Sequence, residues 1–174
     1  MSWLESAVAF VTDIIAENVY PGVFLAAILE TIIPPIPSEL VFPLAGYSMV
    51  GTGMHWLHIV GVGIAGGSGA TIGAYAIFLL SKKVGRPGLR RYVLTSEKTM
   101  DRVERWFAKY GDKSVLLGRC VPGIRELVSV PAGILNMKTP KFLAYTFAGS
   151  CAWSTGLTAA GYYLGAASIL IPNT

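Results

Sequence analysis

Hydrophobic residues dominate the chain in long runs, and short polar or proline-containing stretches divide these runs. Residues 57–81 form an uninterrupted uncharged run, and residues 140–165 form a second long apolar run. At about 1.5 Å per residue, each run is long enough to cross a hydrocarbon core of about 30 Å. Both are predicted to be transmembrane helices.

Two further apolar segments, 21–50 and 111–137, are interrupted by proline. The sequence PPIP at 34–37 excludes a continuous helix, because proline lacks an N–H and clashes with the preceding turn. The arms on either side are too short to span, so 21–50 is predicted to be a re-entrant hairpin of two short helices. Segment 111–137 is predicted to form a second such hairpin, with its turn around Pro122 and Gly123.

Amphipathic sequence surrounds these apolar segments. Residues 3–19 carry three acids between apolar residues and are short for a span, which favours an interfacial helix over a tilted transmembrane one. Residues 82–95 are predicted to be a basic loop with Gly85, Pro87 and Gly88. Residues 96–110 have helical spacing, with apolar residues on one face and Lys and Arg on the other, as in a helix that lies on a membrane surface.

An internal repeat relates the two halves of the chain. The segments SELVFPLAG at 38–46 and RELVSVPAG at 125–133 are identical at five of nine positions, at an offset of 87 residues. The same offset pairs Pro35 with Pro122 and continues through ladders of small residues, which allow helices to approach closely. Two similar halves with proline-interrupted apolar sequence around charges point to a membrane transporter whose site lies at the repeat interface.

The predicted fold is therefore an all-α integral membrane protein with two inverted-topology repeats, each a re-entrant hairpin followed by a long transmembrane helix. A single membrane domain is expected over 1–174, with the repeats at about 20–81 and 111–165. If both hairpins are re-entrant, the first opens outward and the second inward.

Composition and charge support a membrane protein with a cytoplasmic middle segment. Hydrophobic residues make up 53% of the chain and charged residues only 14%, against about 25% charged residues in soluble domains. No Lys or Arg precedes Lys82, whereas ten of the 14 basic residues lie within 82–113. The positive-inside rule makes 82–110 cytoplasmic, where it favours anionic headgroups. Nucleic-acid binding is disfavoured because membrane-length apolar sequence flanks the basic block.

No cofactor, metal or catalytic motif is expected. Cys120 and Cys151 are interpreted as small apolar packing residues. His55 and His58, without further ligands nearby in sequence, are interpreted as a solvated pair rather than a metal site. The chain has no phosphate-binding Gly-Lys-Ser/Thr loop and no hydrolase triad pattern, so active transport would use an ion gradient.

Ionisable residues inside the two hairpins carry the functional hypothesis. A charge at membrane depth costs roughly 2.5 kcal/mol or more and therefore marks a functional site by default. Structural salt bridges that hold the hairpins together are the simpler alternative, and the two roles are compatible. The residues concerned are Glu30, Glu39, Arg119, Arg125 and Glu126.

The two hairpins differ in chemistry. Glu30 and Glu39 supply carboxylates, which exchange protons near neutral pH when burial disfavours their charged form. Arg119 and Arg125 stay charged and bind phosphate bidentately. A carboxylate facing these arginines competes with phosphate unless it is protonated, which offers a route to proton coupling. Glu126 either neutralises Arg125 or faces a cytoplasmic vestibule.

Three stretches resemble the DedA family of membrane proteins, which is related to the VTT/SNARE-associated group. The first is Glu30 followed by PPIPSE at 34–39, which includes Pro35 and Pro37. The second is YGDKSVLLGRCVPGIRELVSVPAG at 110–133, with its core at Gly118, Arg119, Pro122 and Arg125. The third is the Gly-Arg-Pro sequence at 85–87. The resemblance covers roughly 20–165.

The resemblance implies lipid transport across the bacterial inner membrane, driven by protons or sodium. Undecaprenyl phosphate is the first substrate implied, and phosphatidylethanolamine the second. The essential acidic pair of the family falls on Glu30 and Glu39, and its essential arginine pair on Arg119 and Arg125. Family members usually carry a further apolar span near the C-terminus, whereas this chain stops at Thr174.

Three functions stay open at this point. The first is a multi-pass lipid translocase that binds an anionic lipid and protons or sodium, with homo-oligomer formation also open. The second is a proton-coupled cation antiporter in which the arginines are counter-ions. The third is a structural scaffold in the membrane. Two buried fixed positive charges favour the translocase, because a small-cation carrier has no evident need for them.

Overall fold

The part of the chain that this computed structural model describes, residues 18–32, 38–89, 97–125 and 127–170, is largely helical. These residues form seven α-helices and contain no strand, which confirms the predicted all-α class for them. In chain order the helices are α1 (Val19–Ile32), α2 (Ser38–Gly51), α3 (His58–Leu89), α4 (Glu97–Tyr110), α5 (Lys113–Arg119), α6 (Ser129–Ile134) and α7 (Thr139–Leu170). Residues 3–17 of the predicted interfacial helix lie outside the described residues.

Helix α3 is the most apolar long helix. Within the described ranges, His58–Gly85 is the one helix long and apolar enough to cross a membrane, judged by length and composition. Helix α7 is equally long but is not among the helices that meet this test, so the span at 140–165 stays a prediction. Lys82 and Lys83, predicted to begin a loop, continue α3 instead, because lysine forms helix readily and the backbone breaks only at Gly85 (φ 66°).

The chain divides into two compact units. The first contains residues 1–70 and 150–174, and the second contains residues 71–149. The division falls within both long helices, so each unit holds part of α3 and part of α7. The single membrane domain expected over 1–174 stays a prediction.

In the first unit, α2 packs on α7 without intervening side chains. A Cβ added at Gly46 would lie 2.1 Å from the carbonyl oxygen of Thr158, and one added at Gly161 would lie 2.0 Å from that of Pro43. These distances leave no room for any side chain. The buried core around this contact includes Val23, Ala26, Phe42, Ala45, Met49 and Val62.

Small residues of α3 face two neighbouring helices in the first unit. Gly63 meets Thr155 and Gly67 meets Cys151 on α7, so the two long helices run antiparallel there. Gly69 faces α1, where a Cβ would lie 2.2 Å from the carbonyl oxygen of Phe24. Small residues therefore let two helices approach α3 closely, and of these three glycines only Gly69 belongs to the predicted ladder.

In the second unit, aromatic stacking joins the two long helices. The rings of Phe78 on α3 and Phe142 on α7 stack with centroids 4.2 Å apart. Helix α6 lies against α3, because a Cβ at Gly133 would be 2.5 Å from the carbonyl oxygen of Phe78. Gly46 and Gly133 are equivalent in the sequence repeat, and each contacts the long helix of the other half of the chain.

Helix α4 is amphipathic and packs within the second unit. Phe107 is only 5% exposed and belongs to the core of that unit, together with Val115 and Val128. Arg102, Arg105 and Lys109 are exposed on the opposite face. The Ser114 hydroxyl donates to the Trp106 carbonyl oxygen at 3.2 Å, which joins α5 to α4.

Candidate functional site

Arg119 is a buried cation in the second unit. It lies in the last turn of α5, where a positive charge is favourable, and it is 4% exposed. Its Nη2 donates a hydrogen bond of 2.7 Å to the hydroxyl oxygen of Ser129, the first residue of α6. The bond therefore joins the last residue of one short helix to the first residue of the next.

Helix α7 provides the surface on which Arg119 packs. A Cβ added at Gly149 would lie 2.7 Å from the Cβ of Arg119 and 3.1 Å from the carbonyl oxygen of Leu116. Near the start of α7, Lys141 donates to Asp112, the residue before α5, at 2.9 Å in an exposed ion pair. From Lys141 to Gly149 is roughly 12 Å along α7, so Arg119 lies well inside the length of that helix.

A tight turn brings the chain back from α5 toward α6. Gly123 has a φ of 76°, which suits glycine, and it follows the exposed Pro122. The Arg125 amide donates to the Val121 carbonyl at 3.1 Å, and Arg125 is half-buried. Gly118 is buried, and a Cβ there would lie 3.1 Å from a Val128 methyl.

The two carboxylates of the hypothesis belong to the first unit. Glu30 lies near the end of α1 and is 3% exposed, whereas Glu39 lies in the first turn of α2 and is exposed. An acid in the first turn is favoured by the helix dipole. Pro43, inside α2, has no N–H to bond the Glu39 carbonyl, so the helical bond at that position cannot form.

Of the four predicted charged site residues, Arg119 and Arg125 therefore lie in the second unit, and Glu30 and Glu39 lie in the first. The structure brings Arg119 together with Ser129 and gives Glu30 and Glu39 to the other unit. Glu126, Pro35 and Pro37 lie outside the described residues. Among the residues that are described, no group of three His, Cys, Asp or Glu could hold a metal ion.

Sequence reasoning missed Ser129 and Gly149. Ser129 follows Arg125 by four residues, and it interrupts the repeat because the equivalent residue is Phe42. That mismatch was the available signal. Both histidines of the predicted solvated pair are exposed. Tyr20 and His58 are also hydrogen-bonded, and the His55 ring lies beside Trp56.

Comparison with known proteins shows a family and several relatives. The model of the VTT domain matches residues 36–163. The chain is 35% identical to undecaprenyl phosphate transporter A of Bacillus subtilis (strain 168), over 84% of this chain and 72% of that protein. It is 29% identical to undecaprenyl phosphate transporter A of Staphylococcus aureus (strain NCTC 8325 / PS 47), over 87% and 76%. An alkaline phosphatase-like protein of Lactococcus lactis subsp. cremoris (strain MG1363) is 33% identical, over 84% and 71%. No solved structure matches the chain.

Proposed function

Because the chain belongs to the VTT-domain family, the DedA family, we propose that it transports a phosphate-bearing lipid across the bacterial cytoplasmic membrane. Undecaprenyl phosphate is the first candidate, since two relatives carry that lipid in their names. The observation that carries the proposal is the buried guanidinium of Arg119, held by Ser129 at 2.7 Å. A guanidinium has five N–H donors, enough to hold a side chain and a phosphate at once.

On this proposal Arg119 and Arg125 bind the lipid phosphate, and Glu30 and Glu39 couple transport to protons. Glu30 is almost fully buried within α1. A charged carboxylate would compete with phosphate for the arginines, whereas a protonated one would not. Proton binding and phosphate binding would therefore favour each other, and proton loss would favour release.

The proposal includes two re-entrant helix pairs of inverted topology. In support, α1 lies beside the start of α3 at Gly61 and beside its middle at Gly69. Helix α5 lies beside α7 at Gly149, while the preceding Asp112 pairs with Lys141 at the start of α7. Each helix pair, α1 with α2 and α5 with α6, would thus enter the membrane beside the N-terminal end of a long helix. It would turn back near the middle of that long helix. With antiparallel long helices, the two pairs would open on opposite faces.

Transport by purified protein in proteoliposomes tests the proposed function. We expect the wild type to move undecaprenyl phosphate. Arg119→Ala and Arg125→Ala should lose at least about tenfold in affinity for this lipid, because each removes a charge-assisted hydrogen-bond donor. Arg102→Ala is the matched control, since Arg102 is exposed on α4. Glu30→Gln and Glu39→Gln should bind the lipid but lose the effect of a pH gradient.

Two results would contradict the proposal. Folded wild-type protein that moves neither undecaprenyl phosphate nor phosphatidylethanolamine would exclude a translocase of either lipid. Cation-dependent proton flux in the same vesicles would then favour the antiporter.

A further inference from the structure

We propose that Ser129 and Gly149 position Arg119 for the lipid phosphate, Ser129 by orienting the guanidinium and Gly149 by making room for its stem. Neither residue needs to contact the lipid, so both are positioning residues. This inference rests on the proposed function, because it concerns how the same phosphate site is built.

Ser129 fixes one nitrogen of the guanidinium. The Nη2–Oγ distance is 2.7 Å, and the two residues are 4% and 0% exposed. Water therefore does not compete for this bond at either end. An arginine side chain has considerable rotamer entropy, and a buried bond at Nη2 restricts that freedom before a ligand arrives. A guanidinium that is already oriented binds phosphate more tightly than a free one.

Gly149 determines where the Arg119 stem can lie. With a Cβ at 149 only 2.7 Å from the Arg119 Cβ, an alanine there would push α5 and the arginine away from α7. On the same helix, a Cβ at Gly156 would meet nothing within 4 Å. Helix α7 thus contains one glycine that supports the arginine and one that provides a control for the substitution itself.

The repeat sets apart Ser129 and the two arginines. At the offset of 87, Arg119, Arg125 and Ser129 correspond to Ile32, Ser38 and Phe42, although residues 39–41 and 126–128 are identical. Phe42 is buried in the first unit, beside Gly66. The same register position therefore packs a ring in the first half and holds an arginine in the second. The halves differ in chemistry where phosphate binding requires it.

Binding of two lipids that differ only in phosphate tests the role of Ser129. The probes are undecaprenyl phosphate and undecaprenol, measured with full-length protein in nanodiscs. We expect Ser129→Ala to weaken binding of the phosphate about tenfold and to change undecaprenol binding by less than about twofold. Ser129→Thr, which keeps the hydroxyl, should restore binding. Adding Ser129→Ala to Arg119→Ala should have no further effect, because the serine acts through the arginine.

Gly149→Ala extends the test to α7. It should weaken phosphate binding at least about fivefold and leave undecaprenol binding intact, whereas Gly156→Ala should match the wild type for both lipids. Equal losses for phosphate and alcohol in Ser129→Ala or Gly149→Ala would indicate a purely structural role and overturn the inference.

The controls separate this inference from the proposed function. If Arg119→Ala loses phosphate binding while Ser129→Ala binds as the wild type does, the positioning role is wrong and the phosphate site stands. If the wild type binds phosphate and alcohol equally, both proposals are wrong.

Discussion

Three glycines on α7 show that one residue type serves different purposes along a single helix. Gly149 makes room for the Arg119 stem, Gly161 lets the helix touch the backbone at Pro43, and Gly156 has nothing near its Cβ position. In an exposed helix, glycine costs about 1 kcal/mol relative to alanine. At Gly161 and Gly149 that cost is offset by contacts no other residue allows, whereas Gly156 has no such contact.

Gly161→Ala should therefore destabilise the protein, while Gly156→Ala should not. The new methyl of Gly161→Ala would lie 2.0 Å from the Pro43 carbonyl oxygen, and such overpacking costs about 1–3 kcal/mol. Gly156→Ala should be neutral or stabilising by up to about 1 kcal/mol. Thermal unfolding midpoints of the two variants in detergent provide the comparison. Equal midpoints would show that α2 and α7 move apart at little cost.

Side-chain bonds across a turn are the part of the site that sequence reasoning could not reach. Arg119 and Arg125 stand out because charge is rare in apolar sequence. Ser129 is marked only by its mismatch with Phe42 in the repeat, since serine is ordinary in such segments. Only the folded turn at Gly123 shows that the hydroxyl of Ser129 lies 2.7 Å from the guanidinium.

At the scale of helices, periodicity was the reliable signal. The amphipathic pattern predicted a helix at 96–110, and α4 occupies Glu97–Tyr110. Composition misled at the end of α3, because the lysines after 81 were interpreted as loop although the helix continues to the break at Gly85. The helices α5 and α6 have seven and six residues, which is too short for periodicity to reveal their boundaries.

Phe107 should anchor α4 to the second unit. It is buried in the core of that unit, and Phe→Ala substitutions in cores cost about 3–5 kcal/mol. We expect Phe107→Ala to raise amide hydrogen exchange throughout 97–110 while the exchange of α3 changes little. Arg102→Ala, on the exposed face of the same helix, should leave exchange unchanged. An equal rise in hydrogen exchange across the whole protein would show that Phe107 supports the whole fold rather than α4 alone.

For the whole molecule, the question is whether the two halves have opposite orientations in the membrane. Charge supplies one argument, because the first 81 residues contain no Lys or Arg and the segment after them is basic. That asymmetry predicts a cytoplasmic 82–110 and hence an outward start for α3. The antiparallel contacts of α3 with α7 in the first unit supply another.

Gly51 and Lys138 provide a direct measurement, because they are exposed and equivalent in the repeat. Gly51 ends α2, and Lys138 lies directly before α7. In a background of Cys120→Ser and Cys151→Ala, a membrane-impermeant maleimide should label Gly51→Cys in intact cells. It should label Lys138→Cys only after the membrane is permeabilised. A Cβ at Gly51 meets nothing within 4 Å, so that substitution should not disturb the fold. Labelling of both positions from the same side would mean that the repeats are parallel, and the proposed opening of the two helix pairs to opposite faces would be wrong.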